Sequence, residues 1–251
     1  MPEAVAQLRE ICPWTPHDLS RTGTHLTKPA MSWERRPGTV TALAGATMLT
    51  MSVPPKRLPT FEELYREIER LPQGITGQIL VAGKLTTMSR PGSPHEHTLA
   101  HCERALDRFD RKFGGEGWWI RQEFEVRFPG DRLAVPDLTG WRSDDYPELP
   151  DDNPLRIVPA WCAEVLSPST ASDDRTLKLP LYASTGVGHV WLLDPELRTI
   201  EVYESIAGRP TLVATARDAD VVRLPPFETD LSLMAWWKTK ASLATTALPA
   251  P

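Results

Sequence analysis

Cysteine is scarce in this sequence, and the few residues present lie far apart. The 251 residues contain only Cys12, Cys102 and Cys162. No two of them form a CxxC pair, which argues against a zinc ribbon and against a disulfide framework. Cys102 and Cys162 lie in apolar patterns that are typical of buried side chains, so we expect a protein of the reducing cytoplasm.

Long apolar runs and several well-known catalytic motifs are also missing. No run reaches the roughly 20 apolar residues that span a bilayer, so we expect no membrane partner. The absence of a GxxxxGK[ST] loop argues against nucleotide hydrolysis on a P-loop. Without a GxSxG motif, Ser167 and Ser169 are poor candidates for a nucleophile.

Positive charge is not in excess, since the formal net charge is −5. This balance argues against a protein that coats nucleic acid by charge alone, but it is compatible with an acidic metal site.

Residues 1–58 differ from the rest, with seven Lys or Arg against four Asp or Glu, and seven prolines. We interpret them as a flexible extension, with a basic arm that contacts phosphate as the alternative. Residues 241–251 are predicted to be a frayed tail, which leaves 59–240 as the folded domain.

Two helices are predicted in the first half of this domain. Residues 60–63 form a capping box, and apolar residues then repeat at helical spacing as far as Leu71. Residues 93–96 (Ser-Pro-His-Glu) predict a second helix with the serine as its cap. Its apolar stripe continues without interruption to Phe113, which predicts one long helix.

The remaining patterns predict eight strands and two further helices. Strands are expected at 75–81, 84–88, 118–128, 134–141, 157–166, 189–193, 199–203 and 221–224, and helices at 176–185 and 231–237. Strands and helices do not alternate regularly, so a doubly wound parallel fold is not expected. The order instead predicts an α/β fold with a mixed β-sheet flanked by α-helices.

Two carboxylates lie in the apolar strand patterns. Asp137 follows Val135-Pro136 near the start of one strand, and Glu164 lies inside the apolar run 160–166. Burying a carboxylate is costly unless it has a partner, and the two would meet if these strands are neighbours. Such oxygen ligands suit Mg²⁺ or Mn²⁺. Either residue taken alone is more simply explained as a turn residue or as one half of an ion pair.

Lys178 and His95 are the other candidates for a site. Lys178 shares a helix face with Tyr182, and a lysine beside a metal can stabilise charge on a phosphate. Its alternative is an ordinary solvated lysine. His95 opens the second predicted helix, where it either approaches the metal or the phosphate or lies on the surface.

The order of these motifs resembles the PD-(D/E)XK nucleases, and specifically the Uma-two family of restriction-endonuclease-like proteins. The resemblance covers about residues 60–237. The matching segments are Ser93-Pro94-His95-Glu96, Pro136-Asp137, Glu164 to Thr170, Asp174 to Tyr182, and Gly186 to Pro195.

This resemblance implies a restriction-endonuclease-like fold and a divalent-metal phosphodiesterase that acts on DNA. It implies that Asp137, Glu164 and the backbone carbonyl of Val165 hold Mg²⁺ or Mn²⁺. The superfamily places a lysine two residues after the glutamate, where this chain has Leu166, so Lys178 is expected to replace it. Relatives carry a glutamate where this chain has Gln78, a departure that would remove one ligand charge.

Three functions are therefore weighed against one another. The first is an active endonuclease, and the second is a binding module of the same fold without catalysis. The third is a homo-oligomeric scaffold, for example a homodimer, that uses Trp236 and Trp237. Clustering of the candidate residues in one polar pocket would favour the first. Side chains that are ion-paired with one another and closed to solvent would favour the others.

Overall fold

The computed structural model describes residues 57–89 and 92–237. Its first helix, α1 (Phe61–Ile68), begins where the capping box predicts. The Thr60 hydroxyl accepts from the Glu63 N–H at 3.2 Å, and the Thr60 N–H donates to the Glu63 carboxylate at 2.8 Å. Residues 1–56 of the predicted extension 1–58, and the predicted tail 241–251, lie outside the described residues, so the predicted domain boundaries stay predictions.

We expect Thr60→Ala to lower the free energy of unfolding by about 1 kcal/mol, because the first turn of α1 loses its cap. Urea titration of the two proteins measures this difference. Thr60→Ser keeps the hydroxyl and serves as the control. Equal losses for both variants would show that the cap oxygen contributes nothing.

A six-stranded mixed sheet forms the centre of the domain, with the order β10-β9-β8-β7-β6-β3. Only β7 and β8 are parallel. Its strands are β3 (Trp118–Gln122), β6 (Leu138–Arg142), β7 (Trp161–Val165), β8 (His189–Asp194), β9 (Thr199–Ile206) and β10 (Arg209–Arg217). The hairpin of β8 and β9 confirms the prediction, whereas the edge strand β10 was not predicted.

A second sheet of four antiparallel strands was also not predicted, and its order is β2-β1-β5-β4. Its strands are β1 (Ile75–Val81), β2 (Lys84–Ser89), β4 (Val126–Phe128) and β5 (Arg132–Ala134). The predicted strands 118–128 and 134–141 are each wrong as single units, because both are divided between the two sheets. Glu123, with φ of 45°, ends the first before β4, and residues 135–137 separate β5 from β6.

The second helix, α2 (Ser93–Leu106), is shorter than predicted. Gly92 occupies the N-cap position, and Ser93 is the first helical residue. Two 3₁₀ turns, Asp107–Phe109 and Arg111–Phe113, follow α2, and Phe113 is exposed. The predicted single helix is therefore wrong beyond Leu106, although Phe109 still packs against the core. The buried stripe is wrong at Phe113, because Asp110 turns the chain and accepts from the N–H groups of Lys112 and Ile120.

A helical stretch after β7 consists of three consecutive pieces. These are α3 (Ala171–Asp173), a π-helical turn (Asp174–Lys178) and α4 (Leu179–Thr185). Pro180 has no N–H to donate to the carbonyl four residues earlier, which interrupts the α-helical pattern where the wider turn occurs. The predicted helix 176–185 is therefore confirmed as a helical segment that ends at Thr185. It begins earlier, at Ala171, and contains a π-helical turn.

Helices cover both faces of the central sheet. Leu99, Cys102 and Leu106 of α2 pack on one face with Trp161 and Trp191. Leu179, Leu181 and Tyr182 of α4 pack on the other face with Cys162 and Leu192. The predicted mixed sheet flanked by α-helices is confirmed. No helix among the described residues is long and apolar enough to cross a bilayer.

The end of the described chain differs from the predicted last strand and helix. Two short strands, β11 (Val221–Val222) and β12 (Leu231–Ser232), pair before a 3₁₀ turn, Leu233–Trp236. Trp236 and Trp237 are 2% and 4% exposed and belong to the core. They offer no exposed aromatic surface, so the basis for the scaffold hypothesis is wrong. A homodimer by another surface stays a prediction.

Candidate active site

Asp137 is held at the junction between the two sheets. It follows β5 and directly precedes β6, and its own carbonyl accepts from the Glu123 N–H at 3.1 Å. Its carboxylate Oδ2 accepts from the Val165 N–H of β7 at 2.6 Å. The same oxygen lies 3.0 Å from His95 Nε2. Strand β6 is the antiparallel neighbour of β7, which brings Asp137 beside Glu164 as predicted.

Glu164 lies in the middle of the apolar β7 and is 1% exposed. Its Oε2 accepts from Lys178 Nζ at 2.7 Å, and its Oε1 accepts from the Tyr182 hydroxyl at 2.5 Å. Both donors come from the helical stretch that crosses this face of the sheet. The buried charge of Glu164 is therefore compensated by one ammonium group and one hydroxyl group, as burial requires.

Asp174 is a third carboxylate of the site, and it was not predicted. It is 1% exposed, and its Oδ1 lies 2.9 Å from Lys178 Nζ. The ammonium group thus lies between Asp174 and Glu164, and Lys178 is itself only 2% exposed. The alternative of a solvated lysine is wrong for Lys178. The spacing of Asp174 and Lys178, four residues apart, was the available signal in the sequence.

The carboxylates and the lysine change one another's protonation. Burial raises the pKa of Glu164 to about 8, with further contributions from the charges of Asp174 and Asp137, while Lys178 opposes the shift. Burial opposes the charge of Lys178, but the three carboxylates outweigh it and raise the pKa of the ammonium group. Lys178 therefore acts as a permanent positive charge and not as a general base.

We expect the metal-free protein to lose stability as the pH rises from about 5 to about 8. The folded protein holds a proton on Glu164 that the unfolded chain releases near pH 4.5. The folded state therefore binds more protons in this window, and the free energy of unfolding falls with increasing pH. Urea titrations in EDTA across this range measure the slope. Glu164→Gln cannot titrate, so a slope as steep as that of the wild type would contradict the assignment.

A cavity of about 270 Å³ brings all the predicted site residues together. It is lined by His95, Asp137, Glu164, Val165, Asp174 and Lys178. Asp137 keeps 16% of its side chain exposed, so the cavity communicates with solvent there. His95 is 5% exposed and is bonded to Asp137, which shows that it is not an ordinary surface residue.

Gln78 lies on the face of β1 that is directed towards this helical stretch. Side chains alternate along a strand, and Leu80, two residues further, packs with Leu181 and Tyr182. Gln78 is fully buried, and its Nε2 lies 3.7 Å from Met88 Sδ. Its Oε1 has no hydrogen-bond partner among the described residues. An oxygen acceptor in this position can accept a hydrogen bond or coordinate a cation.

The donor set fits a hard divalent cation that takes few protein ligands. With all three carboxylates ionised and His95 neutral, the group formed by Asp137, Glu164, Asp174 and Lys178 has a formal charge of −2. A divalent cation would offset this charge. No group of three or more His, Cys, Asp or Glu side chains in the described ranges forms a ready ligand set. Mg²⁺ commonly uses one or two carboxylates and retains several waters, so Asp137 and Glu164 are the residues that could hold it.

The central mixed sheet, its flanking helices and this acidic pocket define a restriction-endonuclease-like α/β protein. The family model Uma2, with the description "Putative restriction endonuclease", matches residues 61–236. The chain therefore belongs to the Uma-two (Uma2) family, which confirms the resemblance inferred from its motifs.

One solved structure supports the same fold. It is the crystal structure of "a putative nuclease belonging to DUF820" from Anabaena variabilis, with a TM-score of 0.56 and 20% sequence identity. The similarity covers 71% of this chain and 97% of that chain. A search of curated proteins finds no match.

Proposed function

We propose that this protein is a divalent-metal-dependent endonuclease that hydrolyses phosphodiester bonds, with DNA as the substrate and Mg²⁺ or Mn²⁺ as the ion. The observation that carries the proposal is the meeting of Asp137, Glu164 and Lys178 in one cavity. The three residues come from the start of β6, from β7 and from the π turn. Membership of a nuclease-like family supports the same chemistry.

Asp137 and Glu164 would hold the ion, with the backbone carbonyl of Val165 as a further ligand. A bound divalent ion supplies Lewis-acid stabilisation of the phosphate and activation of a water molecule. Lys178 contributes a fixed positive charge close to the two carboxylates, which favours an anionic phosphate group in the cavity. His95 orients Asp137 through its Nε2 bond, as outer-shell partners of metal ligands do.

Location in the cytoplasm is part of the same proposal. Cys102 and Cys162 are both free and buried, which is the state expected in a reducing compartment. Burial also raises the pKa of both thiols, so neither of them is a reactive thiolate.

The experiment is the incubation of the purified full chain with supercoiled and linear DNA. Mg²⁺, Mn²⁺ or EDTA is added to parallel samples, and nicking is followed on gels. Cleavage that requires the metal supports the proposal. Binding of the metal without cleavage of DNA or RNA would contradict catalysis and leave the second candidate function.

That second candidate is a binding module of the same fold without catalysis, and two observations favour it. Both oxygens of Glu164 are already occupied by Lys178 and Tyr182. The family resemblance also implies a carboxylate at the position that Gln78 occupies in this chain. The clustering of the site residues in one cavity supports an active endonuclease. The ion pairing between the same residues supports the binding module.

The variant Gln78→Glu separates these two candidates. We expect it to bind Mn²⁺ at least about tenfold more tightly, because it adds a negative charge on the face of β1 that is directed towards the helical stretch of the site. Without metal it should be less stable than the wild type, since one more negative charge is buried. Titration with Mn²⁺ and urea measures both effects, and Gln73→Glu, at an exposed position, is the control. Cleavage gained only in Gln78→Glu would identify the wild type as the inactive module.

A further inference from the structure

Two histidines lie side by side on α2, away from the acidic cavity. His97 and His101 are four residues apart, and their ring centroids are separated by 4.5 Å. Both side chains are partly exposed. Neighbouring imidazoles at this helical spacing are an arrangement that binds transition metals in proteins.

The ring of His97 is held in place by the end of the described chain. Its Nε2 lies 3.0 Å from the carbonyl oxygen of Ala235, in the 3₁₀ turn Leu233–Trp236. A carbonyl oxygen can only accept, so Nε2 carries the proton and donates it. In neutral His97, Nδ1 then holds the free lone pair. Histidine ligands of metals usually donate their second ring N–H to a backbone carbonyl or a carboxylate in this way.

His101 is suited to be the second ligand because its ring lies beside that of His97 and is partly exposed. Partial burial lowers its pKa, and the nearby charges of His97 and Arg104 lower it further, which favours the unprotonated imidazole that a metal requires. Arg104 opposes any cation in this position, which limits the affinity.

We propose that His97 and His101 form a binding site for a borderline transition-metal ion such as Zn²⁺, Ni²⁺ or Cu²⁺. Imidazole nitrogens prefer these ions, whereas the oxygen ligands of the acidic cavity suit Mg²⁺ and Mn²⁺. Zinc–nitrogen bonds of about 2.0–2.1 Å require two ligand nitrogens that are about 3.3 Å apart. Ring centroids that are 4.5 Å apart place the two imidazoles close enough to approach a common ion. Water completes the coordination.

This site is distinct from the proposed catalytic site. His95 is only two residues from His97, but its ring is buried and bonded to Asp137. Residues two apart on a helix point in nearly opposite directions. The metal would instead strengthen the attachment of the 3₁₀ turn to α2, which Thr98 also secures by donating to the Trp236 carbonyl at 2.7 Å.

The test is a titration of the untagged full chain with Zn²⁺ in excess Mg²⁺, which occupies the carboxylates. We expect one Zn²⁺ per chain, with affinity reduced at least about tenfold in His97→Ala and in His101→Ala. His189→Ala and the double variant His17→Ala/His25→Ala are the controls and should bind as the wild type does. The variant His101→Ala leaves the Ala235 contact intact, so it remains informative if His97→Ala folds poorly.

Electron paramagnetic resonance with Cu²⁺ adds a direct count of nitrogen ligands. The wild type should show two imidazole nitrogens, and each single variant should show one. Unchanged Zn²⁺ affinity in both variants, or a Cu²⁺ spectrum without nitrogen ligands, would overturn the proposal. Neither measurement uses DNA cleavage, so the result is independent of the nuclease proposal.

Discussion

Cleavage of DNA is expected to fall by at least about a thousandfold when Asp137 or Glu164 is replaced with alanine. Each substitution removes one of two proposed carboxylate ligands, and metal stabilisation of the reacting phosphate is worth several kcal/mol. Mn²⁺ affinity should fall in the same variants. Plasmid nicking under single-turnover conditions, together with Mn²⁺ titration, measures both quantities.

The alanine substitutions at Asp137 and Glu164 are expected to disturb the folded structure to different extents. Asp137 is partly exposed, and its loss leaves the Val165 N–H and His95 without their acceptor. Glu164 is buried, so Glu164→Gln, which keeps the shape of the side chain, should accompany Glu164→Ala. Asp145→Ala is the matched control, because Asp145 is exposed beyond the other end of β6. Cleavage that survives in both site variants would show that the ion is held elsewhere or that a contaminant cuts the DNA.

Lys178→Met is expected to lower both stability and activity. Methionine fills a similar volume but leaves Glu164 and Asp174 buried without their shared cation. Removing one partner from a buried ion pair costs about 3–5 kcal/mol. Cleavage should fall by about 10²–10³, the usual effect of removing one stabilising group from the reacting charge. Urea titration in EDTA and nicking assays measure the two effects.

The effects of metal and pH on the stability of Lys178→Met show whether its loss of stability is electrostatic or comes from poorer packing. Added Mg²⁺ should restore part of the stability of Lys178→Met, since a cation again faces the carboxylates. Lower pH should also reduce the loss, because Glu164 takes up a proton. Lys84→Met, at an exposed position of β2, should change stability by no more than about 0.5 kcal/mol. A loss in Lys178→Met that neither metal nor pH reduces would point to packing alone.

Local patterns in the sequence were sufficient for several elements and for the principal site residues. The capping box at Thr60 located the start of α1, because its bonds connect residues only three apart. Period-two alternation located the hairpin of β8 and β9. Asp137 and Glu164 stood out because carboxylates are rarely found within apolar strand patterns. The family resemblance then assigned Lys178 on the basis of its motif.

Other features depended on which segments meet in the folded chain. Residues 118–128 read as one alternating strand, yet the chain turns at Glu123 so that β3 pairs with β6 and β4 pairs with β5. Alternation reports the faces of a strand but not its partner, so the second sheet could not be predicted. The stripe ending at Phe113 likewise continued the helical period after the helix itself had ended.

The electrostatics of the site were decided by tertiary structure in the same way. The sequence alone predicted Asp137, Glu164 and Lys178 as the residues of the proposed active site. Only the fold placed Lys178 between Glu164 and Asp174, bonded His95 to Asp137 and buried Gln78. Periodicity and motifs record the preferences of neighbouring residues. The protonation and pairing of a buried group depend on burial and on charges brought from distant parts of the chain.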